Sequence, residues 1–303
     1  MPTSFARPSS TPTPTGASDV IASDTEARAA PTAAYSEAFL LSLRRWFWPF
    51  ARLWFRPTIA GWERVPEGAF LCVANHSGYG VMEILTLLCL WLERFGLSRP
   101  VVGLAHDIGL WWPFRLVVLP IGGVRASGAA GLAPLASGFP VLVFPGGDVD
   151  ALRPFSARDR VRWGGRHGFL RTARDAGVPV LPLVISGSHA QYTLLPGGPF
   201  IARLLGLRRL RLATWPLPLG GCVLLCALGA WLAGVLPGYA VALAAAGAIL
   251  PNPTRMDYRF LPPEAPPPRG VDGVALAERA EALRSRMEDA LVELRAKRRT
   301  PWG

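Results

Sequence analysis

The sequence predicts an α/β fold, a central and mostly parallel sheet flanked by helices, with helical segments that associate with a membrane. Three observations carry this. Short apolar runs recur at residues 69–74, 101–105, 117–121, 140–144 and 180–185, the length of buried strands. Segments of helical period lie among them, near 81–95, 129–136 and 165–176, and such alternation builds a sheet covered by helices with a ligand cleft at its strand ends. Two further segments, 36–56 and 212–254, are too apolar for an ordinary soluble surface.

Residues 1–35 are rich in Pro, Ser, Thr and Ala and hold no apolar core, which predicts a disordered tail and not a secretory signal. The composition changes abruptly at 36–56, where Trp46, Trp48 and Trp54 are interleaved with Arg44, Arg45 and Arg52. That pairing of aromatics with cations predicts a helix lying in the headgroup region, kinked or divided at Pro49; the alternative is an amphipathic helix on the protein's own core. Residues 36–262 read as the main domain, and 212–254 as an uncharged insertion within it. The first arm of that insertion is about 20 residues and the second about 13, divided at Pro237 and Gly238, and the second is too short to cross hydrocarbon as a helix. A hairpin entering one leaflet fits both lengths and lets a strand-like 256–260 rejoin the sheet; a hairpin buried in a soluble core is the competing reading. A Pro-rich linker, 263–273, precedes the segment 274–303, whose Leu276, Ala280, Leu283, Met287, Leu291 and Leu294 recur at helical period and predict an amphipathic helix packed back on the domain.

With 303 residues, half of them apolar, and a formal charge of +11, the chain can bury one large core and favours anionic surfaces. Its only lysine is Lys297, the coding bias expected of a GC-rich bacterial genome, and this excludes a P-loop site. No Gly-x-Ser-x-Gly elbow is present, which disfavours a serine hydrolase, and no nucleic-acid-binding motif accompanies the charge. Cys72, Cys89, Cys222 and Cys226 sit in apolar runs without metal-ligand spacing, so they read as buried hydrophobes in a reducing compartment.

The chemistry concentrates at 73–83, Val-Ala-Asn-His-Ser-Gly-Tyr-Gly-Val-Met-Glu. His76 stands where a strand gives way to a helix, and a carboxylate that fixed its tautomer would make it a general base at neutral pH. Glu83 is the nearest acid. On a regular helix seven residues span about 10.5 Å, so the pair can meet only if 77–80 folds back and places Glu83 in the first helical turn. Gly78 and Gly80 permit such a turn.

Downstream lie Trp-Pro-Phe-Arg ending at Arg115, Leu-Pro-Ile-Gly-Gly-Val-Arg-Ala-Ser at 119–127, Val-Leu-Val-Phe-Pro-Gly-Gly-Asp-Val-Asp at 141–150, and Gly-Val-Pro-Val-Leu-Pro-Leu-Val-Ile at 177–185. In order and spacing these blocks, with the Asn-His block, resemble the glycerolipid acyltransferase family over roughly residues 40–262, outside the insertion. Two departures stand out. The family's acid follows His after four residues, whereas Val81 holds that place here. The family's Phe-Pro-Glu-Gly followed by Thr-Arg, associated with an acceptor phosphate, is replaced by Phe144, Pro145, Gly146, Gly147, Asp148 and Val149. The Phe-Pro-Gly-Gly form is closer to the branch similar to diacylglycerol acyltransferases, whose acceptor is a lipid alcohol.

The resemblance implies a glycerolphosphate-acyltransferase-like fold and an O-acyltransferase that moves a fatty acyl group from a thioester to a glycerolipid or lysophospholipid hydroxyl. His76 would be the base and Glu83 its orienting acid. Asn75, Ser77, Arg115, Arg125, Phe144, Pro145, Gly146, Gly147, Asp150 and Arg153 are the expected substrate-binding residues, with Arg125 on a phosphate and the Gly146 and Gly147 N–H groups on the oxyanion. His106, His167 and His189 read as structural, His189 being placed where it could line the cleft. No cofactor or metal is implied; acyl-CoA or acyl-carrier-protein is co-substrate. Partners are membrane lipids, the thioester donor, acyl carrier protein as one form of it, and no nucleic acid, at the cytoplasmic face of a bacterial inner membrane. The alternative is a non-catalytic lipid-binding protein that retains the fold.

Overall fold

The computed structural model describes residues 30–77, 81–210, 214–300 and 302–303, and residues from Pro31 to Gly303 form one unit. The expected tail at 1–35 lies almost wholly outside the described residues, as do Gly78 to Gly80 of the expected fold-back. Seven strands form a single sheet: β1 (Thr58–Ala60), β2 (Leu71–Ala74), β3 (Val102–Ala105), β4 (Gly123–Arg125), β5 (Val141–Val143), β6 (Val180–Ser186) and β7 (Asp257–Phe260). Their order is β1-β7-β6-β2-β5-β3-β4. Strands β2 to β6 run parallel, β7 returns antiparallel to β6, and β1 pairs parallel with β7. The carboxyl ends of β2, β3, β4, β5 and β6 therefore share one edge of the sheet.

Side chains alternate across each strand and supply two cores. Phe70, Cys72 and Ala74, with Leu181, Leu183 and Ile185, pack under α1 (Glu37–Phe55) and α2 (Val81–Phe95). Leu71 and Val73, with Val141, Val180 and Val184, face the opposite way. Short α3 (Arg115–Val118) precedes β4, and α4 (Gly128–Ala136), α5 (Gly147–Ala151) and α6 (Gly168–Ala176) follow in the chain. Burial on both faces explains why the strands read as continuous apolar runs. The helix α1 is capped by the Ser36 hydroxyl, which accepts from the Phe39 N–H, and runs unbroken through Pro49; the proline does not divide it.

Beyond β6 come α7 (Gly198–Leu204), α8 (Leu219–Leu232) and α9 (Gly238–Ile249). The last two pack against each other where small residues allow it: a Cβ on Gly220 would lie 2.8 Å from the Gly247 carbonyl oxygen. Fourteen and twelve residues give lengths of about 21 and 18 Å, short of the ~30 Å of a hydrocarbon core. Among the described residues no helix is long and apolar enough to cross a membrane. The hairpin leaves Leu225, Leu232, Val235, Tyr239, Leu243 and Ile249 exposed, and the Trp54 indole donates to the Pro251 carbonyl at its base. Finally α10 (Gly273–Ala296) buries Leu276, Ala280, Leu283, Met287, Leu291 and Leu294 on the Leu71 side of the sheet.

One strand is misplaced by the sequence. Residues 117–121 were expected to be extended, whereas they complete α3 and turn, and β4 begins at Gly123. At the junction Gly122 has a φ of +91°, and a Cβ there would stand 2.8 Å from the Val101 carbonyl oxygen, so the turn into β4 requires a glycine. A short apolar run does not by itself tell helix from strand.

Candidate active site

His76 lies two residues beyond the carboxyl end of β2, and Glu83 occupies the first turn of α2. Glu83 Oε1 lies 2.6 Å from Nδ1 of His76 and accepts the Ser77 N–H at 3.0 Å, while Oε2 accepts the Ser77 hydroxyl. The Ser77 proton being so used, the Ser188 hydroxyl donates to the Ser77 oxygen. Donors converge on Glu83, the arrangement of an acceptor-only carboxylate, so Nδ1 carries the imidazole proton and Nε2 the lone pair. The Glu83 side chain is fully buried and that of His76 is 17% exposed. The Tyr258 hydroxyl donates to the Glu83 carbonyl at 2.9 Å and fixes the start of α2 from the neighbouring core.

The backbone of His76 is held as firmly as its ring. Asp150 accepts the His76 N–H at 2.6 Å through Oδ2 and the Arg162 N–H at 2.7 Å through Oδ1. Arg153 donates to the His76 carbonyl and to Asp150 Oδ1, each at 2.7 Å. Burial pushes Asp150 above the ordinary carboxylate range and Arg153 below the ordinary guanidinium range, and their mutual attraction opposes both shifts. On the outer side, the Phe144 ring stacks on the His76 ring, centroids 4.4 Å apart and planes 28° apart.

The turn after β5 is close-packed. A Cβ on Gly146 would lie 2.3 Å from both the Arg162 carbonyl oxygen and the Asp150 Cβ, so a glycine is required where the resembled family has glutamate. Arg166 donates to the Pro145 and Gly146 carbonyls at 3.4 and 2.7 Å and pairs with Asp148 at 3.3 Å. The Gly147 N–H donates to the Phe144 carbonyl at 3.0 Å, which corrects its expected role at the oxyanion: that donor is spent on the turn. Gly146 N–H remains of the expected pair.

Four expected substrate-binding residues are buried and engaged within the protein. Asn75 clamps β2 to β6, donating to the Ile185 carbonyl at 2.8 Å and accepting its N–H at 2.7 Å. Ser77, Asp150 and Arg153 are at most 2% exposed and serve to hold His76 and Glu83. Arg125 shares the carboxyl edge but stands on β4, three strands from β2, roughly 14 Å away at ~4.8 Å per strand, and pairs with Asp107 at 3.3 Å. Arg115 is exposed on α3. Of Phe144, Pro145 and Gly146, the Phe144 ring lies against His76, and Pro145 and Gly146 follow it in the turn.

His189 is buried, and neither ring nitrogen has a described partner. Burial first, then Arg153 and His76, hold it well below the ordinary histidine range. His106 caps the turn after β3 by accepting from the Ile108 N–H, and His167 opens α6. Sequence reasoning missed Ser188, Tyr258 and Arg166. The signal available for Arg166 was a glycine pair followed by Arg and His at 164–167. Among the described residues no cluster of His, Cys, Asp and Glu is placed to hold a metal ion.

This constellation can take a proton from a hydroxyl at Nε2 while Glu83 stabilises the imidazolium. Residues 56–186, which contain nearly all of it, match the family model described as Acyltransferase. An uncharacterized protein of Mycobacterium tuberculosis is 32% identical over 179 residues, 57% of this chain and 48% of that protein. A mouse protein described as a DGAT1/2-independent enzyme synthesizing storage lipids is 24% identical over 147 residues, 48% of this chain and 44% of that protein. The chain thus spans about half the length of the curated relatives it matches. Among solved structures, the 1-acyl-sn-glycerophosphate acyltransferase of Thermotoga maritima is similar over 86% of this chain and 81% of its own, at 18% identity and a TM-score of 0.49. Residues 56–186 are thus similar to the acyltransferase family.

Proposed function

We propose that the protein is a membrane-associated O-acyltransferase that moves a fatty acyl group from acyl-CoA or acyl-carrier-protein to a hydroxyl of a glycerolipid or lysophospholipid. The observation that carries the proposal is the 2.6 Å contact between His76 Nδ1 and Glu83, which leaves Nε2 as the base. Nε2 takes the acceptor hydroxyl proton as the oxygen attacks the thioester carbonyl. The tetrahedral intermediate collapses to the new ester, and the departing thiolate receives the proton from the imidazolium. No covalent enzyme intermediate and no cofactor are required. Asn75, Ser77, Asp150 and Arg153 act as positioning residues, and Phe144 limits the tilt of the imidazole.

The membrane part of the proposal rests on exposed apolar surface: Trp46, Phe50 and Leu53 on α1, and the flank of the α8 and α9 hairpin. A hairpin too short to span, entering one leaflet, would hold the sheet edge near its lipid acceptor at the cytoplasmic face of a bacterial inner membrane. The non-catalytic alternative drew its strength from the displaced carboxylate, and the closed dyad removes that support. Acceptor-dependent release of free thiol from an acyl thioester, measured on protein in lipid, tests the proposal.

A further inference from the structure

A pocket of about 340 Å³ opens on the Leu71 side of the sheet, away from α1, between Val149 of α5, the loop 161–167 and Glu281 and Arg284 of α10. Several independent features suit it to an anion. Arg162 is exposed and makes no ion pair among the described residues. Arg166 leaves 48% of its side chain in solvent while it holds the Gly146 carbonyl and Asp148. The nine-residue α6 starts here at Gly168, and His167 at its cap supplies no side-chain hydrogen bond, so the partial positive charge of the helix start is unquenched by the chain's own cap. Trp163, 3% exposed, forms part of the pocket wall. The one carboxylate on the rim, Glu281, is already paired with Arg284 at 2.7 Å.

The pocket shares a wall with the dyad. Asp150 bridges the N–H groups of His76 and Arg162, and Arg166 grips Gly146, two residues from the Phe144 ring that covers His76. The apolar face of α1 belongs to the opposite side of the sheet.

We infer that this pocket binds the phosphate-ester portion of the acyl donor, with Arg162 and Arg166 as its cations and the start of α6 beside them. Hydrophilic donor and lipid acceptor then reach His76 from opposite faces of the sheet. The inference rests on the acyltransferase reading. It is tested on the full chain in phospholipid nanodiscs by calorimetric titration with coenzyme A and with pantetheine, which lacks phosphate. Coenzyme A is expected to bind at least about tenfold more tightly than pantetheine, Arg162→Gln to lose about tenfold for coenzyme A alone, and His76→Ala to bind both as the wild type does. In turnover, Arg162→Gln raises KM for the thioester and leaves acceptor KM unmoved. Arg162 makes no described side-chain contact, so an unchanged melting curve is expected and separates binding from folding.

Coenzyme A binding no tighter than pantetheine overturns the inference. So does a rise in acceptor KM, which would assign the pocket to a lipid headgroup phosphate. Binding as expected without turnover on any acceptor would sink the acyltransferase reading and leave the pocket standing. Turnover lost in His76→Ala with thioester KM unmoved in Arg162→Gln would sink the pocket alone.

Discussion

Nδ1 of His76 lies 2.6 Å from Oε1 of Glu83, across a seven-residue separation that a regular helix would stretch to about 10.5 Å. His76 lies two residues beyond β2 and Glu83 in the first turn of α2, so the two are not on one regular helix and can meet. Glu83→Gln can present an amide N–H to Nδ1 and so favour the wrong tautomer. The expected result is a fall in kcat of about 10²- to 10⁴-fold with acceptor KM little changed, read from steady-state thiol release.

The Asp150 and Arg153 side chains are both fully buried, and the pair holds the backbone on both sides of the His76 residue. Arg153→Met leaves the Asp150 carboxylate buried without its cation and is expected to cost about 3–5 kcal/mol in urea unfolding. The double variant Asp150→Leu/Arg153→Met, with no charge left unpaired, is expected to recover part of that stability and none of the activity.

Gly146 has no room for a side chain, its virtual Cβ falling 2.3 Å from the Arg162 carbonyl oxygen and from Asp150 Cβ. Gly146→Ala should push Asp150 off the His76 N–H. Overpacking of this kind costs about 1–3 kcal/mol, and kcat should fall further than stability alone explains. Melting temperature and kcat measured together distinguish the two effects.

Burial, then Arg153, His76 and Arg158, depress the pKa of His189 and hold it neutral in the fold. Its folded pKa is therefore depressed below the unfolded value of about 6.5. Below that value the unfolded chain binds the extra proton, so this contribution is complete above about pH 6.5 and is lost as pH falls towards the folded pKa, by up to about 1.4 kcal/mol per pH unit. Urea midpoints between about pH 5 and 7.5 should show this slope in the wild type and lose it in His189→Leu.

Trp46 and Leu53 project from α1 at 75% and 79% exposure. If α1 lies in a bilayer surface, Trp46→Ser/Leu53→Ser removes about 3 kcal/mol or more of apolar transfer, and vesicle partitioning should fall by at least about tenfold. Unchanged co-sedimentation would remove α1 from the membrane contact.

Strand and helix order was legible wherever burial imposed a period, as in the runs that became β2, β5 and β6 and in the six apolar positions of α10. Three-residue β1 carries too little pattern to be read, and β4 was misplaced because the apolar run at 117–121 continues α3 and turns at the positive-φ Gly122 before the strand starts. The dyad was legible because the distance argument left one geometry for a His76 and Glu83 pair. The roles of Asn75, Ser77, Asp150 and Arg153 were not, since a polar residue beside a catalytic histidine looks the same in sequence whether it faces substrate or backbone. Only the fold brings Ile185 to Asn75 and Ser188 to Ser77, each across more than a hundred residues. Arg166 was hidden for the same reason: it reaches the Phe-Pro-Gly-Gly turn from a later loop.

The most direct test of the account is thiol release from a long-chain acyl thioester by the full chain in lipid, with lysophosphatidic acid, other lysophospholipids or diacylglycerol as acceptor, beside His76→Ala. The account predicts release that depends on an acceptor, forms the acylated lipid in equal amount, and falls at least about 10²-fold in His76→Ala. Release that persists undiminished in His76→Ala, or no release with any acceptor from folded, membrane-bound protein, would contradict it.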